Sequence, residues 1–176
     1  MRFNKKIIFS HNETNVFFVK LQELDSHFLA LLSYLSYEEK IRMSKLLHKS
    51  LKKRYAISHG FLRLLLGKYL SLFPSNVEYN YNEFKKPFCR QDPNLYFNMS
   101  HSNNYIFYVF SYNCKSGIDI ECIKNISKIE SLFSLIASPQ EALVFEKQNE
   151  IDKTYFFYKT WTIKEAFLKA LGIGLT

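Results

Sequence analysis

Cysteine is scarce in this chain of 176 residues, and the three present do not form a pattern. Cys89, Cys114 and Cys122 are odd in number, make no CxxC pair and have no histidine at zinc-ligand spacing. That argues against a disulfide framework and a zinc ribbon, and predicts reduced thiols in a cytoplasmic protein. Long hydrophobic runs are also missing. The opening Met1-Arg2-Phe3-Asn4-Lys5-Lys6 is followed only by a short apolar run, Ile7 to Phe9, which predicts no signal peptide. The longest uncharged stretch near the N-terminus, His27 to Tyr37, is too short and too polar to span a bilayer, so no membrane association is expected. With five Gly and four Pro, no segment is rich enough in either to read as a linker, and no repeat is visible. Acid is in deficit: 16 Asp+Glu against 24 Lys+Arg leave a net charge of +8. Such a surface favours an anionic partner without choosing among nucleic acid, anionic lipid, a phosphorylated cofactor and an acidic protein.

What the chain does have is apolar mass. It is 47% hydrophobic and 17% aromatic, which excludes disorder and suffices for one domain or two small lobes sharing an interface. Residues 5–20 alternate like a strand or hairpin, and Leu21 to Tyr34 repeats apolar residues at helical spacing. Tyr37 opens a long basic helical run reaching Arg54, and a second helix carries Phe61 to Leu70 and ends near Pro74. Val77 to Tyr81, Leu95 to Asn98, Tyr105 to Tyr112 and Gly117 to Cys122 read as strands, with Met99 to Ser102 as a turn after the second. Ile129 to Ile136 is helical. Ser138-Pro139-Gln140-Glu141 is a capping box, and the last helix spans Tyr155 to Leu171 with Gly172 closing it.

Two distant segments concentrate the chemistry. In Gly117-Ile118-Asp119-Ile120-Glu121 the acids are two apart, so on a strand both leave one face. In the segment from Trp161 to Leu175, Glu165 and Lys169 are four apart, so on a helix they are neighbours. Were the two faces to meet, three carboxylates would converge beside lysine. Hard oxygen ligands suit Mg²⁺, which in proteins usually works on a phosphate. Each residue also has a plainer reading: alternating acids are most often a solvated sheet face, Glu165 and Lys169 an ordinary helix pair, and a lone His101 a surface residue.

Order and spacing overturn that plainer reading. Phe97 to Ser102 (FNMSHS), Gly117 to Glu121 (GIDIE) and Trp161 to Leu175 (WTIKEAFLKALGIGL) together resemble the Sfp-type 4′-phosphopantetheinyl transferases, with Lys85-Lys86-Pro87 a fainter match to that family's GKP. The resemblance covers roughly residues 37–176. It implies an α+β fold of two pseudo-two-fold lobes, each an antiparallel sheet packed with helices, with the active site in the cleft between them. Residues 1–112 would be the first lobe and 113–176 the start of the second. Family members commonly run some tens of residues further, so this chain would be a fragment or a short member. The implied activity is Mg²⁺-dependent transfer of the 4′-phosphopantetheine group of coenzyme A to a serine of an acyl or peptidyl carrier protein, releasing 3′,5′-ADP.

By that resemblance Asp119, Glu121 and Glu165 bind the metal, and Glu165 and Lys169 are catalytic. Lys86, Ser100, His101, Arg54 and Lys169 bind coenzyme A. The family arginine near His59 is absent, which leaves His59 or Arg54 to replace it, and Lys85 replaces the glycine of GKP. The expected assembly is a monomer. Two other readings stand beside this one: a truncated family member that binds coenzyme A without turnover, and a basic nucleic-acid-binding module. The second is disfavoured because no RNP-like or helix-turn-helix signature is present, and clustered acids repel phosphates unless a metal intervenes.

Overall fold

A computed structural model describes residues 13–173. The expected strand over residues 5–20 begins outside that range; within it lies β1, Asn15–Lys20. A 3-10 helix, Leu21–His27, runs into α1, Phe28–Tyr34. The basic run expected as one helix is two. Helix α2 covers Tyr37–Ser44 and α3 covers Lys49–Leu70, with a break over residues 45–48. No proline separates Arg54 from Phe61, and a single glycine, Gly60, is tolerated within a helix, so α3 continues straight through the boundary expected between two helices. A small hairpin pairs β2, Tyr79–Tyr81, with β3, Pro87–Cys89.

The main sheet has three antiparallel strands in the order β1-β5-β4, where β4 is Leu95–Ser102 and β5 is Tyr105–Tyr112. Ser100 and His101 therefore lie in a strand, not in the expected turn. The pairing with β5 runs on to Ser102 opposite Tyr105. The reversal falls on Asn103 and Asn104, with Asn103 at φ 50°, a conformation that Asn tolerates in two-residue hairpin loops.

Strand alternation gives this sheet two functions. Leu95 and Phe97 of β4 and Ile106, Tyr108 and Phe110 of β5 point to one face and are buried. They pack with Ile57, Phe61, Leu65 and Leu66 of α3 into the principal core. The Tyr108 hydroxyl, inside that core, donates to the Ser58 carbonyl at 2.9 Å. Fully burying side chains of this size contributes about 1.5–3 kcal/mol each. The opposite face of β4 presents Ser100 and Ser102.

The chain then departs from expectation. Residues 115–126 form no strand, and among the described residues the second half contains helices only: α4, Ile129–Ser134; α5, Pro139–Glu146; and α6, Glu150–Leu171. The expected sheet in that half is not found among them. The GIDIE segment instead lies along β4, joined through serine side chains rather than a backbone ladder. A second core gathers Ile129, Phe133, Phe145 and Phe157, with the Phe133 and Phe145 rings stacked at 4.1 Å.

One arrangement occurs twice. Ser36 and Glu39 form a capping box on the 8-residue α2, and Glu39 also pairs with Arg63 on the 22-residue α3. Ser138 and Glu141 form a capping box on the 8-residue α5, and Glu141 pairs with Lys164 on the 22-residue α6 at 2.6 Å. Arg63 donates to the carbonyls of Pro74 and Val77, and Lys164 to that of Ile136. Each long helix is thus locked to the short helix before it by one glutamate that serves two partners.

Candidate active site

The site forms where α6 crosses the GIDIE segment over the serine face of β4. Gly117 makes the crossing possible. A Cβ there would lie 2.0 Å from the Ala166 carbonyl oxygen and 2.5 Å from the Ala170 amide nitrogen. Only glycine lets the two backbones come this close.

Two residues beyond that contact, the Asp119 side chain is 5% exposed. Its Oδ1 accepts from the Ser100 hydroxyl at 2.7 Å and from Lys169 Nζ at 2.6 Å. Its Oδ2 is buried with no hydrogen-bond partner. Such an oxygen costs free energy unless something positive or donating reaches it. Glu121 is exposed, and its Oε2 accepts from the Ser102 hydroxyl at 3.1 Å. The same hydroxyl accepts from the Cys122 amide at 3.0 Å. The two acids therefore leave one side of their segment, as alternation predicts, although the segment is not a strand.

Glu165 and Lys169 lie one turn apart on α6, both half-buried. Burial pushes the Glu165 carboxyl above the ordinary carboxylate range; Lys169 pulls it down, while Asp119 and Glu121 add to the rise. The three acids therefore sense one another across the crossing. Among the described residues, no three His, Cys, Asp or Glu side chains are drawn together tightly enough to hold a metal ion. Instead the Lys169 ammonium lies on Asp119. The donor set still suits a hard cation: all carboxylate, with one buried oxygen of Asp119 unsatisfied. Glu165 also borders a hollow walled by Leu135, Ile136, Trp161 and Leu168.

The remaining expected residues lie around this centre. His101 is exposed and alternates with Ser100, so it points to the α3 side of β4. There it acts on His59, which stacks on Tyr55 at 3.9 Å between ring centroids. Burial first, then His101, Arg42 and Arg63, push the His59 pKa down to about 3. A neutral His59 supplies no charge to a phosphate at physiological pH. Of the two replacements for the family arginine, Arg54, partly exposed on α3, is the cationic one. Lys86 places its ammonium on the Lys169 and Ala170 carbonyls at the end of α6.

Sequence reasoning overlooked Ser102, Asn82 and the close approach at Gly117. A signal for Ser102 was present: Ser100 and Ser102 are two apart, matching the spacing of Asp119 and Glu121. Asn82 sits in a turn and donates to the Gly172 carbonyl at 2.9 Å, ninety positions away, which no local pattern announces.

Comparison with known proteins bears on this geometry. A family model described as "4′-phosphopantetheinyl transferase superfamily" matches residues 115–176, and one described as "4′-phosphopantetheinyl transferase, N-terminal" matches residues 21–112. The chain is 30% identical over 167 residues to 4′-phosphopantetheinyl transferase HetI of Nostoc sp., covering 93% of this chain and 70% of that protein. It is 29% identical over 156 residues to 4′-phosphopantetheinyl transferase Sfp of Bacillus subtilis, covering 88% and 66%. It is 32% identical over 164 residues to 4′-phosphopantetheinyl transferase gsp of Aneurinibacillus migulanus, covering 90% and 65%. The chain thus spans about two thirds of the length of these relatives.

Proposed function

Because this chain belongs to the 4′-phosphopantetheinyl transferase superfamily, we propose that it transfers the phosphopantetheine arm of coenzyme A to a serine of an acyl or peptidyl carrier protein. The observation that carries the reading is the crossing of α6 over residues 117–121. It joins Lys169 to Asp119 and sets Glu165 within the field of both acids.

In this reading the carrier serine hydroxyl attacks the phosphorus that bears the pantetheine arm. A new P–O bond forms to serine, and the bond from that phosphorus to the bridging oxygen of the pyrophosphate breaks, so 3′,5′-ADP leaves with the bonding electrons. Glu165 takes the serine proton. Its raised pKa makes it a stronger base than an ordinary carboxylate. Lys169 supplies a point charge to the pyrophosphate as negative charge builds on the leaving oxygen. Asp119, Glu121 and Glu165 would hold Mg²⁺, which would supply positive charge against the phosphates as the reaction proceeds. The unsatisfied Asp119 Oδ2 supports that assignment. With Ser100 and His101 on opposite faces of β4, coenzyme A would lie across this edge strand: pyrophosphate towards Lys169 and Ser100, 3′-phosphate towards His101 and Arg54.

The lobes in this proposal are residues 1–112 and 113–176, with the cleft at the crossing. The partner is an acidic carrier protein, met by a chain of net charge +8. The protein would act as a monomer in the cytoplasm, a setting that suits its three unbridged cysteines. Mass spectrometry of apo carrier proteins incubated with coenzyme A and Mg²⁺ tests the proposal. A gain of one phosphopantetheine on the carrier serine is expected. Saturable coenzyme A binding with no gain on fatty-acid, polyketide or peptide carriers would instead support the non-transferring reading.

A further inference from the structure

Helix α6 ends with its last carbonyls pointing away from any helical partner, as every helix does. Here those groups are met by the turn between β2 and β3. Lys86 Nζ donates to the Lys169 and Ala170 carbonyls, the second at 3.0 Å. Asn82 Nδ2 donates to the Gly172 carbonyl at 2.9 Å. The turn is itself built for the task. Asn82 Oδ1 accepts from the Phe84 and Lys86 amides at 3.1 and 2.8 Å, and Lys85 takes φ 63°. Gly172, at φ 77°, closes the helix against this turn, and a Cβ there would meet Asn82 Nδ2 at 2.8 Å and Lys86 Cδ at 3.1 Å.

A cation on the C-terminal carbonyls complements the helix dipole. It also fixes the turn of α6 that carries Lys169, whose side chain reaches Asp119. Building on the transferase reading, we infer that Lys86 is a positioning residue. It acts through the last turn of α6 on Lys169 and does not serve as a ligand of coenzyme A. Asn82 is its partner in the same role. The carbonyl Lys86 holds belongs to the residue whose ammonium must meet the pyrophosphate. Loosening that turn therefore moves the charge away from the reacting phosphate while leaving cofactor binding elsewhere intact.

The test compares Lys86→Gln, Lys86→Arg, Asn82→Ser and the double variant Lys86→Gln/Asn82→Ser. Serine at 82 retains an acceptor for the turn and is too short to reach Gly172. Lys86→Gln is expected to lower kcat about 10- to 100-fold, the effect of roughly an ångström of misplacement, with KM and Kd for coenzyme A little changed. Asn82→Ser should shift kcat in the same direction. The double variant should lose less than the product of the two, because both act on one element. Lys86→Arg, which keeps the donors, should restore most of kcat. Amide exchange over residues 168–172 should quicken in Lys86→Gln. Raised KM and Kd for coenzyme A with kcat unchanged would overturn the inference, as would unchanged exchange at that turn. If the wild-type protein modifies no carrier, the transferase reading fails separately. Exchange and coenzyme A affinity then still decide the role of Lys86.

Discussion

Gly117→Ala should damage catalysis by geometry alone, since no charged group is touched. The added Cβ would lie 2.0 Å from the Ala166 carbonyl oxygen, and ordinary C···O contact needs about 3.3 Å. The GIDIE segment and α6 must therefore separate by about 1.3 Å, since both atoms it meets belong to a helix backbone that cannot swing aside. Overpacking of this kind costs about 1–3 kcal/mol, which in a domain of this size lowers the melting temperature by roughly 2–4 °C per kcal/mol. The larger effect is on the ion pair. Asp119 is two residues along, and its 2.6 Å contact with Lys169 crosses the gap being opened. A displacement near 1 Å at a reacting centre costs about 100-fold in rate. Transfer measured by mass spectrometry against Mg²⁺ concentration, beside a thermal melt, reads both effects. If Gly117→Ala kept wild-type kcat/KM and the same Mg²⁺ dependence, the crossing would not be what assembles the site.

The twice-used glutamate lock gives a paired expectation. Glu39→Ala leaves Arg63, 2% exposed, without its carboxylate and should cost about 3–5 kcal/mol in denaturant unfolding. Glu141→Ala breaks a pair about one third exposed and should cost only about 1–2 kcal/mol, most of it the lost cap. His59 should contribute to acid sensitivity. Its folded pKa, about 3, lies below the unfolded value, so stability is full above the unfolded pKa and falls as pH drops from 6.5 towards 3. The slope is at most about 1.4 kcal/mol per pH unit for one proton. His59→Phe keeps the stack on Tyr55 and should flatten the urea midpoint over that window; an unchanged slope would remove His59 from the account. Burial raises the Glu165 pKa, so the acid limb of the kcat profile should fall above the ordinary carboxylate range, and it should vanish with the activity in Glu165→Gln.

Much of this was legible in the chain. Tyr105 to Tyr112 as a strand, the Ser138 capping box and Gly172 as the close of the last helix all rest on local chemistry, and all hold. What failed depended on distant partners. Residues 117–122 alternate like a strand, but Ser100 and Ser102 satisfy them through hydroxyls, so no ladder forms. Ser100 and His101 looked like a turn because polar residues cluster there. Pairing with β5 carries the strand through them. The site was legible as a set of residue types at set intervals. The closeness at Gly117 and the neutral state of His59 were not, since each depends on what packs against it.

The repeated lock also predicts where this protein is adhesive. Leu62 and Leu66 flank Arg63 on α3 and are 3% and 0% exposed. Ile163 and Phe167 stand at the same offsets from Lys164 on α6 and are 59% and 62% exposed. The same helical frame is thus clothed in one half and bare in the other. A bare stripe of Ile and Phe is the kind of surface that drives self-association at high concentration. Polar substitution at these two positions on α6 should therefore reduce self-association of the described chain without entering either core.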